Sequence, residues 1–551
     1  MTLLVHALRV LIGLLAVAPT AAQPLGPIIF RNPDAGSLVE RATGRIPVSP
    51  TTTPGGPFST YTLDEAGHYV LVENLLGEPN KNGIIITAPN VTLDLNGYSI
   101  IGAADSRSGI IAPGDVEGVH IARGTIRDWP DHGVDLGVDR NHRYTGLFVA
   151  NCGGDGIRMS ADSIATDLVL IGNGGNGLTI ERGSGTIERA MAIFNAGNGF
   201  DVASEAKANR LYALVNDGAG ITGHNRNVIT ESNAVLNTAD GFRLGLFSTL
   251  ERCLASRNGD DGFDLGNQAT LRDCTADDNT VNGITAGWRL TAERVVAWRN
   301  GAHGISAESH ARIIDSYATV NANSGIVATW RPNITGSFAT WNQGHGFELG
   351  NDARVASSDA SDNTGLGLNA GSSLQLDRFA ASFNAGGGVT ASDAAHVLDS
   401  RVSNNGNTGL LLGPHALVSR CHLASTAGIV VQLDRGSKLT DSTIRHAFDS
   451  AGGALIGDDT LVAGNLFRGG LGVHITVTGT RVRIDGNEFF ESPAALSLLV
   501  DGRALITSNR FGDCPVTIPT GNSFGPLVDL TAGGDLSAIP NADHPQANFI
   551  D

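Results

Sequence analysis

Residues 127–144 carry side chains that could exchange protons with a substrate. A His or Tyr can act as a general acid or base, and a neighbouring Arg can neutralise the carboxylate of a uronate sugar. That combination suits β-elimination or epimerisation. The candidate catalytic residues are Asp131, His132, Arg140, His142 and Tyr144. The alternative is a solvated, charged loop without a catalytic role.

Four aspartates form a second candidate site, in this case for a metal ion. They are Asp240, Asp260, Asp261 and Asp264. Calcium binds carboxylate oxygens, and a calcium-assisted elimination also needs a basic residue to take a proton. These aspartates predict a calcium site beside Arg243 as the catalytic base. The alternative is an exposed ion pair between Arg243 and Asp264, which contributes little to stability.

Two tryptophans and two histidines recur at a common separation. Trp288 and Trp330 are 42 residues apart, and so are His303 and His345. Exposed indole rings on one side of a protein suit stacking against sugars, so we predict that these four residues bind substrate. The alternative is a set of isolated surface aromatics, which are ordinary.

These candidates lie on or beside a sequence repeat. A glycine followed by a large apolar residue occurs at Gly177, Gly199, Gly220, Gly241, Gly262, Gly283, Gly304, Gly325, Gly346, Gly367, Gly388 and Gly409. The first interval is 22 residues and the next ten are all 21 residues. An asparagine lies four residues before each glycine, at positions 173, 195, 216, 237, 258, 279, 300, 321, 342, 363, 384 and 405. An alanine lies fourteen residues after nine of the glycines.

The repeat predicts a parallel β-helix. Each unit alternates apolar and polar residues over short stretches, which indicates strands, and no unit has room for a crossover helix. Successive coils of about 21 residues would stack with a rise of about 4.8 Å. Asparagine tolerates unusual φ and can hydrogen-bond from coil to coil, while glycine would supply positive φ. We therefore interpret the Asn, Ala and Gly columns as structural.

The flanking sequence predicts four segments. Residues 1–22 resemble a signal peptide: Arg9 precedes an apolar run, and small residues end near Ala22. A proline-rich lead-in or cap follows over 23–60, the β-helix spans 61–513, and a C-terminal cap or tail occupies 514–551. We expect an exported protein, periplasmic or extracellular, after cleavage near Ala22. No later apolar run is long enough to predict a membrane span.

The repeat resembles that of the right-handed parallel β-helix superfamily, which has the pectin lyase fold. The superfamily includes pectate and alginate lyases, polygalacturonases, mannuronan epimerases and phage tailspikes, and the resemblance implies an all-β, right-handed, single-stranded solenoid acting on acidic polysaccharides. The polygalacturonase tripeptide matches only at Gly344–Gly346, four coils from Asp260 and Asp261, and the Asp-Pro-His of mannuronan epimerases is absent.

Composition limits the partners. The 551 residues carry a formal charge of −18, which disfavours nucleic acid because its phosphates need basic contacts. Five cysteines without a CxxC motif argue against a disulfide scaffold or a zinc cluster. Cys253 and Cys274 share a column, where buried thiols are expected.

Two functions remain open from the sequence. The first is an exported β-helix protein that acts on or binds polysaccharide, as a lyase or epimerase of an anionic glycan, with calcium as its candidate cofactor. The second is a non-catalytic structural or adhesive rod. The regularity of the coils over 177–409 supports the rod, because nearly every repeated residue is explained by stacking alone. The oligomeric state stays open.

Overall fold

The computed structural model describes residues 44–137, 140–425, 427–446, 452–470, 472–499, 504–516, 522–529 and 544–550. In these ranges the regular structure is all β-strand, with no helix and hence no apolar helix that would traverse a bilayer. The predicted all-β solenoid is confirmed. The predicted signal peptide, 1–22, and most of the lead-in lie outside the described residues.

One coil contains three short strands separated by bends. In the coil 241–261 these are Phe242–Leu244, Thr249–Glu251 and Leu254–Ser256. Each pairs in parallel with the strand 21 residues later, as in Phe242 with Phe263 and Leu254 with Thr275. The coils therefore stack in register, which confirms the predicted 21-residue parallel β-helix.

The first strands of all coils form one parallel sheet. Their bounds are Ser59–Leu63, Asn82–Ile86, Ile110–Ile111, Val134–Asp135, Ile157–Met159, Leu178–Ile180, Phe200–Val202, Ile221–Gly223, Phe242–Leu244, Phe263–Leu265, Ile284–Ala286, Ile305–Ala307, Ile326–Trp330, Phe347–Asn351, Leu366–Ala370, Gly387–Ala391, Leu410–Leu412, Ile429–Leu433, Gly452–Ile456, Ile475–Val477 and Leu496–Leu498.

The second and third strands form a bent sheet. The second strands are Ile46–Val48, Gly67–Leu71, Val91–Asp94, Val228–Thr230, Thr249–Glu251, Thr270–Arg272, Thr291–Glu293, Arg312–Ile314, Asn333–Thr335, Arg354–Ala356, Gln375–Asp377, His396–Leu398, Leu417–Ser419, Lys438–Thr440, Leu461–Ala463, Arg483–Asp485, Leu505–Thr507 and Ser523–Phe524. The third strands are Leu75–Leu76, Ser99–Ile101, Asn233–Val235, Leu254–Ser256, Thr275–Asp277, Val296–Trp298, Tyr317–Thr319, Phe338–Thr340, Asp359–Ser361, Ala380–Ser382, Arg401–Asn405, His422–Ser425, Thr443–His446, Leu466–Arg468, Glu488–Phe490, Arg510–Gly512, Leu527–Asp529 and Asn548–Ile550.

In five early coils the second and third strands are continuous. These strands are His120–Arg127, Arg143–Ala150, Ser163–Ile171, Gly185–Ile193 and Lys207–Leu214. At both ends the pairing passes the predicted bounds of the solenoid, because Ile46–Val48 pairs with Gly67–Leu71 and Asn548–Ile550 pairs with Arg510–Gly512. The stack therefore includes parts of the predicted cap segments.

The core is a column of inward side chains. Phe242 and Phe263 stack inside the coil with ring centroids 4.9 Å apart. The alanine at the centre of the third strand is buried in successive coils, as at Ala255 and Ala276, and lets the opposite wall approach closely. All five cysteines are buried free thiols, including Cys253 and Cys274.

The asparagine column is a hydrogen-bonded ladder, as predicted. Asn279 Oδ1 accepts from both the backbone N–H and the Nδ2 of Asn258, at 3.1 and 2.9 Å. Asn258 Nδ2 also donates to the carbonyl of Ala234 at 3.0 Å. The same contacts repeat from Asn173 to Asn405. Each buried amide is therefore satisfied only when the next coil lies in register.

The predicted role of the glycine column is wrong. The repeat glycines do not have positive φ, and neither do the ladder asparagines. A Cβ at Gly241 would lie 2.6 Å from the carbonyl oxygen of Gly262 and 2.7 Å from Asn258 Nδ2. Glycine is needed because the asparagine amide and the next coil leave no space. The left-handed bends carry other residues, for example Phe247, Arg252 and Arg257.

We predict that Asn300→Ala lowers the free energy of unfolding by about 3 kcal/mol, because it removes the Oδ1 that accepts from the backbone N–H and Nδ2 of Asn279, and the Nδ2 that donates to Asn321 Oδ1 and the Ala276 carbonyl. Urea unfolding followed by circular dichroism measures the change. Asn333→Ala, at an exposed position of a second strand, is the control and should change it little. Equal midpoints for the two variants would contradict the role of the ladder.

Candidate functional site

The five predicted catalytic residues do not meet in one place. Asp131 and His132 precede the first strand of their coil, Val134–Asp135, whereas Arg140, His142 and Tyr144 follow it. The side chain of Tyr144 points into the core, where burial raises the pKa of its hydroxyl well above the usual value. His142 is also buried, and its Nδ1 accepts from the N–H of Val119 at 3.2 Å. The structure therefore separates these residues into two groups.

His132 belongs to a compact charged group around Arg158. The Nη1 of Arg158 lies 3.0 Å from the carboxylate of Asp135 and 3.5 Å from His132 Nε2. The same guanidinium is bonded to Glu181 and lies 4.0 Å from Asp155. We call these five residues the Arg158 cluster. Three carboxylates already neutralise its one guanidinium.

A second ladder explains why polar residues occur directly before the repeat glycines. At this position a side chain accepts the N–H of the equivalent residue in the next coil. Asp155 N–H donates to His132 Nδ1 at 2.9 Å, and Asn176 N–H donates to Asp155 Oδ1 at 2.8 Å. Leu366 N–H donates to His345 Nδ1 at 2.9 Å. Because Nδ1 is an acceptor, a neutral His132 or His345 carries its proton on Nε2.

Two of the predicted metal ligands also belong to this second ladder. Asp261 N–H donates to Asp240 Oδ1 at 3.0 Å, and Asn282 N–H donates to Asp261 Oδ1 at 2.7 Å. Arg243 lies 2.5 Å from Asp240 Oδ2 and 3.6 Å from Asp264 Oδ2. The geometry thus shows the ion pairs of the alternative interpretation. In the part of the chain that is described, no three or more His, Cys, Asp or Glu residues are arranged to hold a metal ion.

Asp240 is held in an unusual electrostatic environment. Burial raises the pKa of its carboxyl to about 6, and Asp260 and Asp264 add to the rise, although Arg243 opposes it. Burial likewise raises the pKa of Asp264. His303 takes the same ladder position two coils after Asp261, and its own N–H donates to Asn282 Oδ1 at 3.0 Å.

Trp288 and Trp330 lie at one bend of the solenoid, two coils apart, with His310 between them. Trp288 Nε1 donates to His310 Nδ1 at 3.2 Å, and the His310 ring meets the edge of Trp330. The guanidinium groups of Arg289 and Arg331 lie 4.1 and 4.7 Å from the two indole centroids. The rings share one side as predicted, but they pack largely against neighbours on the protein itself.

A larger aromatic surface lies on the outer side of the third strands. In the third strands from Asn233–Val235 to Ala380–Ser382 the central alanine points inward, so its two neighbours point outward. Among these neighbours and the following bend residues, Trp298, Tyr317, Phe338 and Trp341 are exposed, Trp341 by 62%. The Tyr317 and Phe338 rings stack with centroids 4.9 Å apart.

We call this surface the apolar face. Its members are Phe148, Val169, Met191, Tyr212, Leu254, Val296, Trp298, Tyr317, Val320, Phe338 and Trp341. Residues from Phe148 to Phe338 pair from coil to coil over nine steps, which corresponds to about 43 Å. Sequence reasoning did not single out these residues, although the 21-residue alanine column marks the positions beside them.

Comparison with known proteins agrees with the geometry of the coils. Residues 156–289 match the protein family described as "Right handed beta helix region", which is about a quarter of the chain. The match and the coil geometry together show a right-handed parallel β-helix, the fold that the repeat predicted. No curated protein matches the chain.

Several solved structures resemble the chain at low identity. Pectate lyase Pel9A is 14% identical, with 39% of this chain and 71% of that chain covered and a TM-score of 0.27. The periplasmic alginate epimerase AlgG is 10% identical over 67% and 80%, with a TM-score of 0.23. The A-module of the Azotobacter vinelandii mannuronan C-5 epimerase AlgE4 is 12% identical over 83% and 91%, with a TM-score of 0.19.

We predict that Asp240→Asn stabilises the protein above pH 6. The folded-state pKa of about 6 exceeds the usual 3.8, so the native state holds the proton more tightly and loses stability as pH rises between these values. Asparagine occupies the same ladder position at Asn282 and keeps the acceptor. The expected gain is about 1–2 kcal/mol at pH 7 and disappears below pH 4.

Thermal unfolding of the wild type and Asp240→Asn between pH 4 and pH 8 measures this gain. Asp273→Asn is the control, because Asp273 pairs with Arg294 at 2.7 Å and the pKa of its carboxyl is lowered by that contact. Removing this charge should not raise the melting temperature at any pH in that range. A melting temperature for Asp240→Asn that follows the wild type at every pH would contradict the assignment.

Proposed function

We propose that the chain binds an extended polysaccharide along the apolar face. The observation that carries the proposal is the row of exposed aromatic rings at Trp298, Tyr317, Phe338 and Trp341. Contiguous exposed apolar surface of this kind marks an interaction site, and aromatic rings supply large rigid contact area. The apolar C–H faces of sugar rings match such a surface.

The shape and polarity of the face support a long ligand of repeating units. Tyr317 and Phe338 occupy one column on adjacent coils, about 4.8 Å apart, while Trp298 and Trp341 lie in the two columns beside it. Asn233, Thr275 and Thr319 lie between them and offer hydrogen-bonding groups for sugar hydroxyls. Arg299 lies 3.7 Å from the Trp298 ring centroid and pairs with Asp277 at 3.3 Å, so the nearby charge is largely balanced. A chain of net charge −18, with the Arg299 charge beside the face already paired with Asp277, favours a neutral glycan over a uronate polymer.

The proposal includes export of the protein from the cytoplasm. Residues 1–22 have the pattern of a signal peptide, and an exported rod would encounter polysaccharide outside the cytoplasm. Binding alone accounts for the rings of the apolar face. It agrees with the part of the sequence prediction that assigned the chain to polysaccharide without requiring catalysis.

We predict that Trp341→Ala and Trp298→Ala each weaken polysaccharide binding about fivefold, because each removes roughly 1 kcal/mol of ring stacking. Affinity electrophoresis through gels that contain xylan, glucan, pectate or alginate measures the dissociation constants. Trp288→Ala is the matched control, since Trp288 lies at the separate bend beside Arg289. Equal loss in Trp288→Ala, or no retardation of the wild type by any polymer, would contradict the proposal.

A second candidate function is β-elimination or epimerisation of an anionic glycan at the Arg158 cluster. The specific observation is that His132, Asp155 and Arg158 lie together on the outer side of the first-strand sheet. A substrate carboxylate would have to displace one of the three carboxylates around Arg158.

The elimination is tested by the ultraviolet absorbance of unsaturated product from alginate, pectate, hyaluronan or chondroitin, with and without calcium. We expect activity, if the cluster is catalytic, to fall at least a hundredfold in Arg158→Gln, since placed acid–base and charge-stabilising groups contribute factors of about 100 or more. Activity that depends on calcium would indicate that Asp260 and Asp264 bind the ion. Absence of product from all four polymers excludes elimination of these glycans.

A further inference from the structure

An open cleft lies at the end of the apolar face that begins with Phe148. It is located where the second and third strands meet in four early coils and has a volume of about 600 Å³, within the usual range of ligand sites. Its lining residues are Asn96, Gly97, Arg123, Gly124, Thr125, Gly146, Leu147, Phe148, Asp167 and Val169.

The cleft exists because one column lacks a side chain at Gly146. The neighbouring positions in this column are Arg123 and Asp167, with φ of 59° and 57°, and Gly146 has a φ of 62°. The backbone conformation here is one that arginine and aspartate adopt in the same column, so it does not require glycine. A Cβ at Gly146 would meet only Arg123 Cγ at 4.0 Å, and one at Gly97 would meet nothing within 4 Å.

The charged walls of the cleft are held in place and already paired. Arg123 Nε donates to Asp94 Oδ1 at 3.1 Å, and 60% of its side chain is exposed. Arg189 holds Asp167 by two hydrogen bonds at 2.7 and 3.0 Å. Each wall therefore offers fixed hydrogen-bonding groups without an unbalanced charge, which suits hydroxyl groups better than an ionic ligand.

An apolar wall completes the cleft. The Phe148 ring is 39% exposed and pairs across the strands with Thr125 on one side and Val169 on the other. Arg123 and Asp167 are two coils apart in one column, which leaves about 10 Å between their backbone positions. The cleft thus has one aromatic ring, two polar walls whose charges are paired, and an open top. A pyranose ring is amphipathic and fits such a cleft.

We propose that this cleft binds one neutral sugar unit, the end of the polysaccharide that follows the apolar face. The inference rests on the proposed function and adds a defined position to it. The cleft would fix where the polymer starts on the row of rings, whereas the open face beyond it permits sliding. Neutral sugars are specified because, among the described residues that line the cleft, the cation Arg123 is paired with Asp94 and the anion Asp167 is paired with Arg189.

The test compares two glycine substitutions in the same column. Gly146→Gln places a long neutral side chain in the cleft. Gly336→Gln is the matched control: Gly336 also has a φ of 62° and lies far along the rod. Its new Cβ would displace the carboxylate of Asp315, the end of a side chain, and would lie at ordinary contact distance, 3.8 Å, from Asp315 Cα. Gln268 adopts a φ of 60° at another bend, so glutamine tolerates this conformation. Equal melting temperatures of the two variants verify that both fold.

Saturation-transfer NMR with cellobiose, maltose and digalacturonate measures occupancy of the cleft. We expect transfer to at least one of the neutral disaccharides with the wild type and Gly336→Gln, at least a tenfold loss with Gly146→Gln and with Phe148→Ala, and no transfer to digalacturonate. Transfer that is unchanged in Gly146→Gln, or absent for both neutral sugars, would overturn the cleft proposal.

The two proposals fail in different ways. Gel retardation of the wild type by a polymer, together with no disaccharide signal, overturns the cleft while the apolar face stands. No retardation by any polymer contradicts the proposed function itself. Weakened retardation in Trp341→Ala with an intact disaccharide signal supports both, since Trp341 lies many coils from the cleft.

Discussion

The fold depends on burying one amide side chain in every coil. Asn258 donates twice and lies between two neighbours that accept and donate in turn, so no coil can satisfy its asparagine alone. The free-energy cost of leaving a buried amide without hydrogen-bond partners is a large fraction of the free energy of unfolding of a domain. The ladder therefore allows one register, and every other column, inside or outside, inherits its alignment.

Stacking around this ladder divides the residues into two groups. Residues of the first group make the contacts that hold neighbouring coils together, and residues of the second group have side chains on the outer surface. Inward apolar residues, the asparagines and the glycines have assigned contacts. Even charged residues before the glycines, such as Asp240, accept a backbone N–H from the following coil. Chemistry that needs unoccupied side chains is left to the outer columns, where the aromatic rings and the cleft at Gly146 lie.

The fold and the asparagine ladder were predictable because a fixed period gives the number of residues in one coil. Residues one period apart then lie above one another in neighbouring coils. The candidate site was less predictable because a period does not say which side chains point inward. Tyr144 is a plausible acid in the sequence, yet it lies in the core next to outward Arg143. The outward direction of the Trp298 side chain follows from the burial of its neighbour Ala297, which the period alone does not indicate. The glycine column was misinterpreted because its steric role requires knowing that Asn258 Nδ2 lies against it.

The nearly constant number of residues in each coil also determines how such a rod can change its length. Each coil contacts mainly its two neighbours, as in other solenoids, so a whole unit of 21 residues can be duplicated or lost while the ladders on either side remain continuous. One residue added within a strand would reverse the inside and outside of the residues that follow it. Coils of 22 residues, such as Asn173–Asn195 and Asn465–Asn487, nevertheless keep the amide contacts. The length of the apolar face is thus counted in whole coils, and the duplication or loss of one unit would change it by one coil rise.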